Sequence, residues 1–231
     1  MHAMILAAGR GERMRPLTDT TPKPLLEVGG KALIVWIIER LVRAGIEEIV
    51  INHAHLGAKI EAALGNGRRF GGRILYSREG TALETAGGIA LALSRLGTMP
   101  FLVVNGDVYC DMDYRALVTH SEHSLAADTL AHLVLVPNPA HNPTGDFSIA
   151  PNGGLMNEGA PRHTFAGIAL YRPSLFAGVP AGDRAKLAPL LRDAAANGQA
   201  TAEILSERWV DVGTPERLAE LDRLLRHENQ P

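Results

Sequence analysis

The sequence predicts an α/β fold with a mostly parallel central sheet, on two observations. Through the first half of the chain, short apolar runs alternate with stretches of helical periodicity, the rhythm of βαβ units with right-handed crossovers. Those runs are continuously apolar rather than alternating, as strands covered on both faces are. Beyond about residue 125 the rhythm changes to further strands and turns, which predicts a β-rich side.

Taken in order, Ala3–Ala8 is a buried strand closed by Gly9. Ala32–Ala44 sets Leu33, Ile37 and Leu41 on one helical face, widened by Val35, Ile38 and Val42, and Gly45 ends it. Glu48–Asn52 is a strand, and the helix after it runs through Ile60 and Leu64 to Gly65. Arg73–Ser77 is a strand, Thr85–Leu96 a helix, and Phe101–Val104 a strand that runs into Asn105-Gly106-Asp107. Asp113 is placed to cap a helix through Leu117. Leu130–Val136, Phe147–Ile149 and Thr164–Tyr171 read as strands, with turn-rich 137–145 and irregular 151–163 between them. Leu187–Asn197 is a helix stopped by Gly198, and Arg208–Val210 a short strand. Thr214–Arg226 closes the chain as a helix with Thr214 as N-cap, Pro215 in its first position and Glu216 in its first turn.

Bulk composition narrows the function. Of 231 residues, 46% are hydrophobic and 21% charged, enough for a sizeable core in one domain. A net charge of −2, from 23 Lys and Arg against 25 Asp and Glu, sets up no general field for nucleic acid or an anionic membrane. Phosphate binding must therefore be local. The single cysteine, Cys110, excludes an intrachain disulfide and a multi-cysteine zinc site, and suits the reducing cytoplasm. No apolar run reaches the ~18 residues a membrane span needs, and the N-terminus lacks the basic region of a signal peptide.

The densest signal is Leu6-Ala7-Ala8-Gly9-Arg10-Gly11-Glu12-Arg13-Met14-Arg15-Pro16-Leu17, followed by Pro22-Lys23-Pro24. Glycines directly after a strand let main-chain N–H groups close on an anion. Arg13 and Lys23 add the full charges that a triphosphate requires, and the flanking prolines restrict Lys23. No Gly-Lys-Ser/Thr follows, and Met14 occupies the place of the third glycine of a dinucleotide fingerprint, which disfavours an NAD-linked oxidoreductase. The bland alternative is a glycine-containing turn with solvated cations.

This stretch resembles the signature loop of the sugar 1-phosphate nucleotidyltransferases. The resemblance implies a Rossmann-like three-layer αβα fold, with a nucleotide-binding half over about 1–125 and a sugar-binding half over about 126–231. It implies that Leu6, Ala7, Ala8, Gly9, Gly11, Glu79 and Asn105 surround the nucleotide while Arg13 and Lys23 hold its phosphates. Gly-Asp at 106–107 and Trp-Val-Asp-Val-Gly-Thr at 209–214 resemble two further family motifs, whose aspartates, here Asp107 and Asp211, coordinate Mg²⁺. Magnesium keeps several waters, so two carboxylates and phosphate oxygens suffice. Taken alone, each aspartate reads equally well as a turn former, and Asp111 and Asp113 are weaker candidates.

Glu79 to Gly88 resembles the family stretch under the base and sugar, with Glu84 where most relatives have glycine. Glu84-Thr85 is a pattern of the uridylyltransferase branch that acts on N-acetylmuramate 1-phosphate in cell-wall recycling. Gly88, Gly145 and Glu158 match sugar-side positions. The family's sugar-phosphate lysine is missing after Glu158, which leaves Arg162 as the candidate for its charge. His53 with His55 and His120 with His123 are the close histidine pairs, and neither has an acidic third ligand at metal-site spacing. Cys110 reads as a small packed side chain.

The implied reaction joins an NTP, UTP on this reading, to a sugar 1-phosphate with release of pyrophosphate. The alternatives are mannose 1-phosphate guanylyl transfer, glucose 1-phosphate thymidylyl or uridylyl transfer, cytidylyl transfer to phosphocholine, and a catalytically silent regulatory subunit. Loss of Arg13, Lys23 or an aspartate would mark the last, and all are present. A monomer is expected. The reading requires Lys23, Asp107 and Asp211 to converge and to face one cavity.

Overall fold

Period-two alternation sorts the strand side chains between two cores. In β1 (His2–Leu6), Ala3 and Ile5 belong to one cluster and Met4 to the other. A hairpin of β2 (Glu27–Val28) and β3 (Lys31–Ala32) leads into α1 (Leu33–Arg43). There follow β4 (Glu48–His53), α2 (Gly57–Leu64), β5 (Arg73–Arg78), α3 (Glu84–Leu96), β6 (Phe101–Asn105), β7 (Val108–Cys110) and α4 (Arg115–His123). The second half holds β8 (Ala131–Val136), β9 (Phe147–Ile149), β10 (Leu155–Met156), β11 (Arg162–Tyr171), α5 (Leu187–Ala196), β12 (Ala200–Ile204), β13 (Trp209–Asp211) and α6 (Pro215–Glu228). This computed structural model describes residues 1–123 and 125–228, and the side chain of His123, hence half of the His120/His123 pair, lies outside the described residues.

Strands β5, β4, β1 and β6 are parallel neighbours in that order. β11 pairs antiparallel with β6, so one sheet runs through both halves of the chain, and β8, β9, β10 and β12 extend it. On one face, Ile34, Ile37, Ile38 and Leu41 of α1 pack with Ile60 and Leu64 of α2 and Leu117 of α4. On the other, Ala86, Ile89, Ala92 and Leu96 of α3 pack with Leu187, Leu191 and Ala194 of α5. The architecture is a three-layer αβα sandwich with a mostly parallel central sheet, the expected class. Asp113 takes its expected place before α4, its carboxylate accepting the Arg115 N–H over 3.1 Å.

A third, smaller core does most to position the site. Met14 of the N-terminal loop, Leu26 and Val28 at the hairpin, Tyr109 of β7, Val212 just after β13, and Leu221 and Leu225 of α6 form one buried cluster. Met14 and Val212 are fully buried. The loop and the β7–β13 ribbon are thereby fixed to each other by apolar contact. The N–H of Gly29 also donates to the carboxylate of Asp222 on α6, over 2.8 Å.

The periodicity missed four short pairings. The β2–β3 hairpin, β7 and β10 span two or three residues each, too few to show alternation. β12 (Ala-Thr-Ala-Glu-Ile) carries small and polar residues at positions where pairing parallel to β8 supplies the order. The last strand is Trp209–Asp211 rather than Arg208–Val210, so Asp211 is itself a strand residue.

Candidate active site

The ends of β1, β4 and β6 open onto a cleft of about 490 Å³, at the carboxyl edge where parallel sheets place ligands. Leu6, Ala7, Ala8, Gly9, Gly11, Arg13 and Lys23 line one wall, and Asn52, Glu79, Asn105 and Asp107 lie below them. Ala82, Glu84, Thr85 and Arg184 line the other side. All the residues expected around the nucleotide thus border one cavity.

Gly11 shows why this loop needs glycine. Its φ is +71°, and a Cβ there would lie 2.9 Å from Thr18 Cγ2 and 3.3 Å from Lys23 Cβ. The carbonyl of Gly11 accepts bonds from the Met14 N–H (2.9 Å) and the Thr18 hydroxyl (2.8 Å), which close the turn. Lys23 is 8% exposed, and its ammonium donates to Asp107 Oδ2. Arg13 is exposed and has no ion-pair or hydrogen-bond partner among the described residues. One cation is held inside the cleft against a carboxylate; the other stands free at its edge.

Asn52 was not foreseen. It is buried at the end of β4, where its Oδ1 accepts the Ala7 N–H at 2.9 Å and its Nδ2 donates to Glu79 Oε1 at 2.6 Å. Glu79 Oε2 in turn accepts the Leu83 N–H at 2.9 Å. A polar residue ending an Ile-Val-Ile run on the ligand edge of the sheet was the available signal. Gly88 lies behind this chain of bonds rather than on the cleft wall. A Cβ on it would stand 2.4 Å from Glu79 Oε1 and 2.8 Å from Asn52 Nδ2, so its bare Cα gives the pair room.

Asp107 and Asp211 come together through the backbone. Asp211 is registered with Val108, and the Val212 N–H donates to the Asp107 carbonyl over 2.9 Å. Their side chains differ in direction. Asp211 Oδ2 meets Arg217 at 2.9 Å and His141 at 3.3 Å, lining an adjoining hollow of about 450 Å³ with Trp209 and Val210. Gly213 borders the main cleft two residues on. Lys23 and Asp107 therefore converge on the main cleft, whereas Asp211 lines the neighbouring hollow with its carboxylate turned to Arg217, so the expected convergence of all three holds for two of them.

The sugar-side candidates are placed elsewhere. Gly145, Glu158 and Arg162 do not border the main cleft. Arg162, expected to supply a phosphate-binding charge, donates to the carbonyls of Asn157 (2.7 Å) and Asp146 (2.6 Å), where it ties the start of β11 to the residues just before β9 and just after β10. Gly145 has φ +65° and lies against Asn138 and His163, and the carboxylate of Glu158 is exposed. His53 is occupied by Glu61, at 2.7 Å. Cys110 is buried, with its thiol pushed up to about 11 by desolvation.

Comparison with known proteins accords with this geometry. The Nucleotidyl transferase family model matches residues 2–146, more than half of the chain. The chain belongs to the nucleotidyl transferase family. This nucleotidyl transferase is 55% identical to the N-acetylmuramate alpha-1-phosphate uridylyltransferase of Neisseria meningitidis serogroup B, over 97% of this chain and 98% of that one. It is 34% identical to the enzyme of the same name from Caulobacter vibrioides, over 93% and 92% of the two chains. A Bacillus anthracis crystal structure described as a glucose-1-phosphate thymidylyltransferase, in complex with sucrose, superposes with a TM-score of 0.86. At 24% identity, over 100% of this chain and 97% of that one, the likeness is one of fold.

Proposed function

We propose that this nucleotidyl transferase transfers the uridylyl group of UTP to N-acetylmuramate 1-phosphate and releases pyrophosphate. The observation that carries the chemistry is the convergence of Lys23 and Asp107 beside the glycine-lined loop, in a cleft large enough for a nucleotide. The choice of substrate is supported by the 55% identity to the Neisseria uridylyltransferase across nearly its whole length, together with Glu84-Thr85. A cytoplasmic site of action fits the supply of nucleoside triphosphates that this reaction would need.

The phosphate oxygen of the sugar 1-phosphate is anionic at neutral pH and needs no general base. It attacks the α-phosphorus in line, and a new P–O bond forms as the bond to pyrophosphate breaks. This chain's residues position and neutralise. Main-chain N–H groups from Ala8 to Gly11 cradle phosphate oxygens, and Arg13 and Lys23 take up charge developing on the leaving pyrophosphate. Lys23 leaves Asp107 to do so. Asn52 and Glu79 hold the strand end beneath the nucleoside.

The donor set suits a hard divalent ion. Two carboxylates stand side by side, Asp107 in the turn before β7 and Asp211 on β13, linked through the Val212 N–H to the Asp107 carbonyl. Asp107 and Asp211 would hold Mg²⁺, which would supply charge neutralisation for the phosphates of the two substrates. Asp211 would give up Arg217 to join it.

Pyrophosphate release, measured with each of the four NTPs and dTTP against a panel of sugar 1-phosphates, tests the proposal. UTP with N-acetylmuramate 1-phosphate should give the highest kcat/KM. Preference for dTTP with glucose 1-phosphate, or for GTP with mannose 1-phosphate, would replace this reading.

A further inference from the structure

Three cations line the cleft, and a triphosphate uses two of them. Arg13 and Lys23 belong to the loop wall; Arg184 stands with Ala82, Glu84 and Thr85 across from them. Among the described residues Arg184 has one partner, with its Nη2 donating to Glu84 Oε1 over 3.1 Å. Its side chain is 70% exposed, and a guanidinium carries five N–H donors. Four other arginines of the second half are committed to partners within the fold. Arg162 and Arg172 donate to main-chain carbonyls, Arg208 binds Glu228, and Arg217 binds Asp211.

Glu84 is held in an unfavourable shape. Its φ is +63°, a left-handed conformation that glycine takes freely and that a residue with a Cβ takes at a cost. A strained residue on the wall of a ligand cleft points to a functional constraint. The loop carrying Arg184 is locked to the same place. The Ala185 N–H donates to the Leu83 carbonyl at 3.0 Å, and the N–H groups of Ala86 and Gly87 donate to the Ala185 carbonyl at 3.0 and 3.2 Å. Backbone bonds on both sides thus hold Glu84 and Arg184 against each other. An exposed ion pair of this kind is weak and exchanges readily for another anion.

We propose that Arg184 reads the carboxylate of an acidic sugar 1-phosphate, with Glu84 holding its guanidinium at the cleft wall until that substrate arrives. The inference rests on the substrate reading above: N-acetylmuramate differs from N-acetylglucosamine by a lactyl ether that ends in a carboxylate. The planar fork of arginine matches a carboxylate with two parallel bonds, which a lysine cannot reproduce.

The experiment compares kcat/KM for N-acetylmuramate 1-phosphate and N-acetylglucosamine 1-phosphate, with UTP and Mg²⁺, in the wild type and in Arg184→Met, Arg184→Glu and Arg184→Lys. Arg184→Met should raise KM for the carboxylated sugar roughly 10- to 100-fold, the scale of a lost charge-assisted bond. Arg184→Glu should raise it further, Arg184→Lys should recover part of the loss, and the preference between the two sugars should collapse in step. An equal loss for both sugars, a raised KM for UTP, or an unchanged preference overturns the role of Arg184. A wild-type enzyme that rejects the carboxylated sugar overturns the substrate reading itself, before any variant is made.

Discussion

Replacing Gly88 with alanine sets two effects of opposite sign against each other. In the interior of α3, alanine is favoured over glycine by about 1 kcal/mol. The added Cβ, however, would fall 2.4 Å from Glu79 Oε1 and 2.8 Å from Asn52 Nδ2. Glu79 must swing away, and the 2.6 Å bond between them is lost. A hydrogen bond to a charged group contributes about 1.5–3 kcal/mol. The bond outweighs the propensity, and a net loss of about 0.5–2 kcal/mol is expected. For a chain of this size that lowers the melting temperature by roughly 1–8 °C. Freed from Glu79, Asn52 no longer holds the Ala7 N–H, so KM for the nucleotide should rise about tenfold, the equivalent of about 1.4 kcal/mol. Calorimetry and initial rates on the same preparation read both effects. A variant that melts higher than the wild type, with KM for the nucleotide unchanged, would refute the reasoning.

Other substitutions separate catalysis from folding. Lys23→Met should lower kcat by about 10²–10³-fold, the scale of a lost transition-state donor, while circular dichroism shows the fold intact; turnover near the wild-type rate would remove Lys23 from the site. Arg162→Met should act on stability, by about 2 kcal/mol in denaturant unfolding, because two main-chain carbonyls lose a charged donor; a selective rise in KM for the sugar phosphate would instead make it a substrate contact. Acid should remove the contribution of Glu61, whose carboxyl is held at about 2, below its ordinary 4.5, first by its bonds to Arg78 and also by His53. A depressed carboxyl stabilises the fold above its unfolded value and stops doing so as pH falls through its folded one. The stability gap between wild type and Glu61→Gln should therefore shrink as pH falls from 4.5 toward 2, and a gap that stays constant over that window would contradict it.

The layered fold was legible because strand and helix periods are written directly in residues such as Ile49–Ile51 and Leu33–Leu41. The loop wall was legible because Gly11, Arg13 and Lys23 lie close together in sequence. What escaped is what only tertiary contact decides. Asn52 and Arg184 reach the cleft from elements far apart in the chain, Gly88 acts by making room rather than by touching a ligand, and Arg162 is consumed by carbonyls that no spacing reveals. The positive φ of Glu84 follows the same logic. A glycine missing from its usual place could be noticed in the sequence, but the conformation that glycine serves could not.

The small core around Met14 has a consequence for the order in which the enzyme becomes competent. Its members are spread along the sequence, with Met14, Leu26, Val28 and Leu33 made early, Tyr109 midway, and Val212, Leu221 and Leu225 some two hundred residues after the loop. During vectorial synthesis the apolar floor of the phosphate loop therefore stays incomplete until α6 has left the ribosome. Nascent chains should acquire full nucleotide affinity only after α6 has emerged and packed against Met14.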